Sequence, residues 1–280
     1  MKSAVATALA AVLSGLTAMP TPAAAQAGAV ALASHRAVYD LKLAQSRGKR
    51  PMSAVSGRIL YDFTGSPCEG YALQFRQVSQ LDSGEGKVTL SDLRATTWEE
   101  GAAKRLRFHS ENFLDQRLRD AVDGQAERLS SGIGIKLTKP ANKSLEHTVE
   151  VVFPTEHVRR VIAAAREGKT VFEAVVYDGS DSGDKLYDTM ALIGKAIPPQ
   201  ERVGSDASAK EKALAPLTRW PITISYFDRG KAGGEQTPVY AITFELYENG
   251  VSRALLLDYG DFVLSGEMTQ LEMKESKPCP

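Results

Sequence analysis

The sequence predicts an all-β, mainly antiparallel domain with one helix near its middle. Apolar and polar residues alternate with a period of two over most of the chain, one segment alone switches to helical spacing, and turn residues separate the alternating runs. The composition fits a folded chain. Of 280 residues, 43% are hydrophobic and 24% charged, ordinary for a globular protein and far from a disordered tail. Lys+Arg and Asp+Glu tie at 34 each, so no basic excess steers the chain onto nucleic acid.

The first segment stands apart from the fold. Lys2 precedes an almost unbroken Ala, Val and Leu run from Ala4 to Leu16, followed by Pro20, Pro22 and Ala23-Ala24-Ala25. This order is that of a secretory signal peptide with cleavage after Ala25, leaving a mature chain from Gln26. The apolar stretch falls short of the roughly 20 residues a membrane-spanning helix needs. Residues 26–280 then form the mature domain, expected to be exported.

Within the mature chain, Ala37, Tyr39, Leu41 and Leu43 alternate with polar neighbours. So do Val55, Gly57, Ile59, Tyr61 and Phe63, then Tyr71, Leu73 and Phe75, then Ile133, Ile135 and Leu137. Each reads as a strand with one buried face. Val158, Val161, Ile162 and Ala165 are spaced i, i+3, i+4, i+7, which predicts a helix over about 156–167. Thr155 is the expected N-cap and Gly168 the C-terminal stop. Asp178–Asp184 and Pro198–Ala213 read as loops. Strand patterns resume at Ile222, Ile224 and Tyr226 and at Tyr240, Ile242, Phe244 and Leu246. Asn249-Gly250 is the pair a tight type I′ hairpin needs. Val251–Asp258 is the returning strand and Phe262–Glu272 the last one.

Searching for chemistry turns up mainly absences. In Gly179-Ser180-Asp181-Ser182-Gly183 an Asp stands where a nucleophile elbow needs Ser. His35, His109, His147 and His157 lack metal-ligand spacing, and two cysteines are too few for an ordinary four-ligand zinc site. Gly168-Lys169-Thr170 lacks the upstream glycine of a phosphate loop, because Ala163 stands there. Asp178, Ser180, Ser182 and Gly183 match the start of a calcium loop, but the bidentate Glu expected at its end is Thr189. That segment reads instead as a hydrated turn with Asx-type bonds. Arg105-Leu106-Arg107-Phe108 reads as a strand with a solvated face. No catalytic residue, metal ligand or cofactor site is assigned.

Export gives Cys68 and Cys279 a meaning. Two cysteines in an oxidising compartment ordinarily pair with each other, the alternative being two free buried thiols. Pairing would staple the C-terminal tail to the body of one continuous domain.

These residues together carry a resemblance. Ala33-Ser34-His35-Arg36-Ala37-Val38-Tyr39-Asp40-Leu41, Gly57-Arg58-Ile59-Leu60-Tyr61-Asp62-Phe63 and Cys68-Glu69-Gly70-Tyr71 open the mature chain. Tyr177-Asp178-Gly179-Ser180-Asp181-Ser182-Gly183-Asp184-Lys185, Asn249-Gly250-Val251-Ser252-Arg253 and Leu257-Asp258-Tyr259-Gly260-Asp261-Phe262 follow, with a C-terminal Cys. The set resembles the cell-envelope integrity protein EipB family over essentially the whole mature chain. The resemblance implies a periplasmic protein built as a strongly curved, spiral or half-barrel β-sheet of about fourteen strands, similar in outline to lipoprotein carriers. It also implies a Cys68–Cys279 disulfide, a role in envelope maintenance and a periplasmic tetratricopeptide-repeat partner. No catalytic residue comes with it. The leading reading is a non-enzymatic protein that binds a partner at its curved sheet. The alternatives are a carrier of lipid or lipoprotein acyl chains and, less favoured, a hydrolase with unassigned His and Asp.

Overall fold

The computed structural model describes residues 30–48, 52–84, 86–201, 204–230, 237–276 and 279. The expected signal peptide and the mature N-terminus at Gln26 lie outside the described residues. Eight strands come first: β1 (His35–Ser46), β2 (Ala54–Ser66), β3 (Gly70–Asp82), β4 (Val88–Glu99), β5 (Arg105–Leu114), β6 (Arg117–Arg128), β7 (Ile133–Lys139) and β8 (Lys143–His147). Helix α1 (Pro154–Arg166) follows. Six more strands complete the chain: β9 (Val171–Val176), β10 (Tyr187–Ile193), β11 (Arg219–Asp228), β12 (Tyr240–Tyr247), β13 (Ser252–Asp258) and β14 (Phe262–Met273).

All fourteen strands belong to one antiparallel sheet ordered β8-β7-β6-β5-β4-β3-β2-β1-β14-β13-β12-β11-β10-β9. Two meanders are thus zipped together where β1 meets β14. Only pairing of β8 with β9 is missing for a closed up-and-down barrel. The helix lies in the connection between those two strands, and the sheet coils open around it. Its curl is tight enough that Gln77 of β3 donates to the Tyr259 hydroxyl beyond β13, at 3.2 Å.

Two cores fill the coil. The larger gathers Tyr39, Leu41, Ile59, Ile222, Leu246 and Leu264 beneath Val161, Ile162 and Ala165 of α1. This is the helical stripe read from the sequence. The smaller joins Leu106, Phe108, Val122, Ile135 and Leu137 of β5–β7 to Val151, Phe153, Tyr177 and Leu186 from the chain flanking α1 and β9. Burying an aliphatic or aromatic side chain fully is worth about 1.5–3 kcal/mol. Each core therefore contributes on the scale of the whole net stability of a domain.

Three local expectations need correction. The N-cap of α1 is Phe153 rather than Thr155, with Pro154 as the first helical residue. Phe153 is fully buried in the smaller core, so a packing residue occupies the cap position. Glu99 of β4 supplies the cap instead, accepting from the Thr155 N–H at 2.6 Å and the Glu156 N–H at 2.8 Å. Second, Asn249-Gly250 does join β12 to β13, but only Gly250 has positive φ (88°). Tyr247 N–H donates to Val251 O at 2.8 Å across a three-residue loop, which needs one left-handed residue and not the two of a type I′ turn. Third, Asp178–Asp184 is more than a hydrated turn. The Asx bond is there, Asp178 accepting from the Ser180 N–H at 2.9 Å. The segment, however, lies against the inner face of β5–β7. A Cβ on Gly179 would meet the Phe108 ring at 2.4 Å, and one on Gly183 would meet Val122 at 2.7 Å.

The 198–213 loop contains a 3-10 turn, Ala207–Lys210. It is pinned by buried Asp206, whose carboxylate accepts from Arg253 Nε at 2.8 Å. Cys68, in the β2–β3 turn, and Cys279 form a disulfide with Cα atoms 5.7 Å apart. The tail reaches that turn because Lys274 N–H donates to Ser34 O at 2.8 Å, carrying the chain beyond β14 across the end of β1.

Candidate functional site: the concave face

Because side chains alternate along a strand, register decides which residues face the interior of the coil. One transverse row runs His35, Phe63, Leu73, Thr97 and Phe108, and the next runs Ala37, Tyr61, Phe75, Ala95 and Ser110. A third runs Tyr39, Ile59, Gln77, Leu93 and Asn112. The β1 members are buried in the larger core, but Tyr61, Leu73, Phe75, Gln77, Leu93 and Ala95 keep part of their surface open. They form one wall of a groove.

The opposite wall is aromatic. Tyr187, Tyr226, Tyr240, Tyr259 and Phe262 form a chain of ring contacts with successive centroids 6.2, 6.0, 5.2 and 5.2 Å apart. The Gln77–Tyr259 hydrogen bond ties the two walls together. Burial pushes the Tyr61 phenol up to about 12 and also raises those of Tyr226 and Tyr240, so all three are neutral at any physiological pH. None of their hydroxyls has a hydrogen-bond partner among the described residues, and each residue is only partly buried. The surface is therefore apolar by ring and polar by hydroxyl, suited to an amphipathic occupant. Asp178 faces the same wall, its carboxyl raised mainly by burial.

Under the N-terminus of α1 the groove narrows to a pocket of about 80 Å³ between Leu32, His35, Phe63, Pro154 and Val158. His35 stacks on Tyr61 with centroids 5.5 Å apart, and burial lowers its pKa. Glu99, which holds the N–H of Thr155 in this lining, has its carboxyl pushed up to about 7, chiefly by burial and against the pull of the helix N–H groups.

The other residues singled out in the sequence lie apart from the groove. His109 is on the outer face, its Nδ1 3.0 Å from Asp123 Oδ2, beside an open hollow of about 540 Å³ that includes Trp98, Arg107 and Lys136. Thr138 donates to Asp123 at 2.5 Å, and His109 Nε2 faces Glu111 at 3.7 Å. Among the described residues no hydroxyl or thiol hydrogen-bonds that imidazole, whose partners are the carboxylates of Asp123 and Glu111. His157 meets Thr189 at 3.3 Å within the buried helix–sheet contact, and burial pushes it down to about 4. In the 178–184 segment, Asp181 pairs with Lys185, and Asp184 with Lys143 at 2.8 Å. Among the described residues no three His, Cys, Asp or Glu side chains converge as metal ligands. No described helix is long and apolar enough to cross a membrane. The tyrosine wall carries no motif in the sequence, where Tyr226 and Tyr240 stand as ordinary members of alternating strand runs.

Residues 26–275 match the EipB-like family model. The chain belongs to the EipB-like family. A relative within it, the cell envelope integrity protein EipB of Brucella abortus (strain 2308), is 35% identical over 256 residues, covering 91% of this chain and 89% of that protein. The crystal structure of a β-barrel-like protein of a domain of unknown function, also from Brucella abortus, superposes with a TM-score of 0.81 at 34% identity. It covers 88% of this chain and 100% of that one. The open fourteen-stranded coil is thus an EipB-like fold, and the groove is a feature of this chain on that fold.

Proposed function

We propose that this protein acts in the periplasm as a non-enzymatic envelope-integrity factor that works by binding a partner at its concave face. The envelope role rests on its similarity to the Brucella protein of that name. The observation that carries the mode of action is the half-open aromatic groove, with hydroxyls of Tyr61, Tyr226 and Tyr240 that no described side chain satisfies. A protein segment supplies both apolar side chains for the rings and backbone groups for those hydroxyls. A tetratricopeptide-repeat protein is the partner class to test first. The second reading, transport of lipid or lipoprotein acyl chains, draws on the apolar rows Leu73, Phe75 and Leu93 of the facing wall.

Site-specific photocrosslinking in intact cells tests the proposal. A photoreactive residue replacing Phe75, on the inner face, should give a protein adduct, whereas the same residue replacing Gln74, which is exposed on the outer face, should not. A lipid-mass adduct at position 75 would favour the carrier reading. Adducts from position 74 alone, or from neither, would overturn both.

A further inference from the structure

The open sheet has two edges, and they are built differently. Exposed strand edges invite pairing with other chains, and natural sheets guard them with short strands, lysine and proline. The β8 edge follows this rule, being five residues long with exposed Lys143 and Glu146. The β9 edge, Val-Phe-Glu-Ala-Val-Val, has no lysine and no proline.

Part of that edge is already in use. Val152 pairs with it in parallel, its N–H donating to Val175 O at 2.8 Å and its carbonyl accepting from Tyr177 N–H at 3.1 Å. Residues 175 and 177 thus turn their backbone groups away from β10. By the alternation of an antiparallel ladder, Val171 and Glu173 do the same, while Phe172 and Ala174 bond β10. The Val152 bridge stops short of Val171 and Glu173, so the half-strand beyond it offers two N–H and two C=O groups to an added strand. Its outer side has the matching chemistry. Val171 and its cross-strand neighbour Leu192 are each 46% exposed, next to a hollow that includes Met190 and Phe227. Glu173, exposed between them and Val175, has no ion-pair partner among the described residues.

We propose that the β9 edge from Val171 to Glu173 is a strand-addition site for an extended peptide of another protein with a basic residue facing Glu173 and an apolar residue two positions away facing Val171. It does not rest on the concave-face reading, because strand addition here leaves the inner groove untouched. Main-chain bonds at Val171 and Glu173 supply the attachment, and the alternating side chains supply the selectivity.

The probes are the blocked peptides Val-Thr-Lys and Lys-Thr-Val, which set lysine over Glu173 and valine over Val171 in the two strand directions and end short of the Val152 bridge. At least one of them should bind the mature protein in a fluorescence titration and slow amide exchange at Val171 and Glu173. Glu173→Pro removes an edge N–H that bonds nothing inside the protein, so the fold should survive. Its binding should weaken about tenfold or more, the scale of one or two lost main-chain bonds. Glu173→Lys should reverse the preference, favouring the peptide with Glu in place of Lys. Should the proline variant fail to fold, the peptide N-methylated on its bonding face decides on the wild-type protein, where it should not bind. Unweakened binding of the N-methylated peptide, unchanged affinity in a folded Glu173→Pro, or exchange protection elsewhere than β9 would overturn the proposal.

Discussion

At the N-terminus of α1, the Glu99 carboxylate accepts two helix N–H groups while almost completely excluded from water. Exclusion wins, and the group is pushed from about 4.5 to about 7. Between those values the folded protein keeps a proton that the unfolded chain has released. Stability therefore falls as pH rises through the window, by up to about 3 kcal/mol, and is level above it. His157 acts with the opposite sign. Its pKa is pushed down to about 4 by burial, so the stability it contributes is complete above about 6.5 and lost as pH falls toward 4. Comparing the wild type with Glu99→Gln isolates the first effect. In urea unfolding between pH 5 and pH 8, the stability of the wild type relative to the variant should fall by about 2–3 kcal/mol, because His157 contributes equally to both. Parallel pH profiles for the two proteins would show that Glu99 does not titrate in this window. None of this is visible in the sequence, where Glu99 stands 56 residues before Thr155, whose N–H it caps. Thr155 is the obvious local candidate and does not cap because Phe153 takes the position before Pro154.

At the scale of elements, the 177–186 segment makes the second core possible. It lays Tyr177 edge-on against Phe108 at 5.7 Å and brings Leu186 to the inner face of β5–β7. Gly179 and Gly168 have nearly the same φ, 72° and 74°, but only Gly179 lies against a ring, with open space around Gly168. Gly168→Ala should therefore cost only the left-handed backbone penalty, about 1–2 kcal/mol. Gly179→Ala adds overpacking of about 1–3 kcal/mol. Chemical denaturation of the two variants measures the difference, and equal losses would mean the segment does not dock on Phe108. Element legibility follows the same geometry. Strands β1, β2, β7 and β11 were readable because one face of each is buried in a core. Strands β4 and β6 were not, because inward Thr89, Ser91 and Asp120 blur their alternation. The groove, where no core demands an apolar residue, is therefore the part of the molecule hardest to see in sequence.

For the molecule as a whole, the Cys68–Cys279 bond closes a loop of 211 residues around nearly the entire sheet. A loop of that length is worth roughly 5 kcal/mol at most in the chain-entropy account, and often less. Reduction should lower the melting temperature by several degrees, Cys68→Ser should match it, and the double Cys→Ser variant should lose no more than either single one. The β1–β14 ladder and the Lys274–Asp62 ion pair already hold the tail in place, so the fold should persist without the bond. Unchanged melting on reduction would confine the bond to protecting the tail.

The central claim is that this protein acts by holding something in its concave face and not by chemistry. Complementation of a strain lacking it, scored as survival under detergent stress, tests that claim most directly. Ala95→Trp fills the groove from a partly open inner position, whereas His109→Ala with Asp123→Asn removes the outer-face pair most like a catalytic one. With both proteins shown to be folded by circular dichroism, the groove-filled variant should fail to restore survival and the outer-face variant should restore it fully. Rescue by Ala95→Trp together with failure of the His109/Asp123 variant would contradict the account.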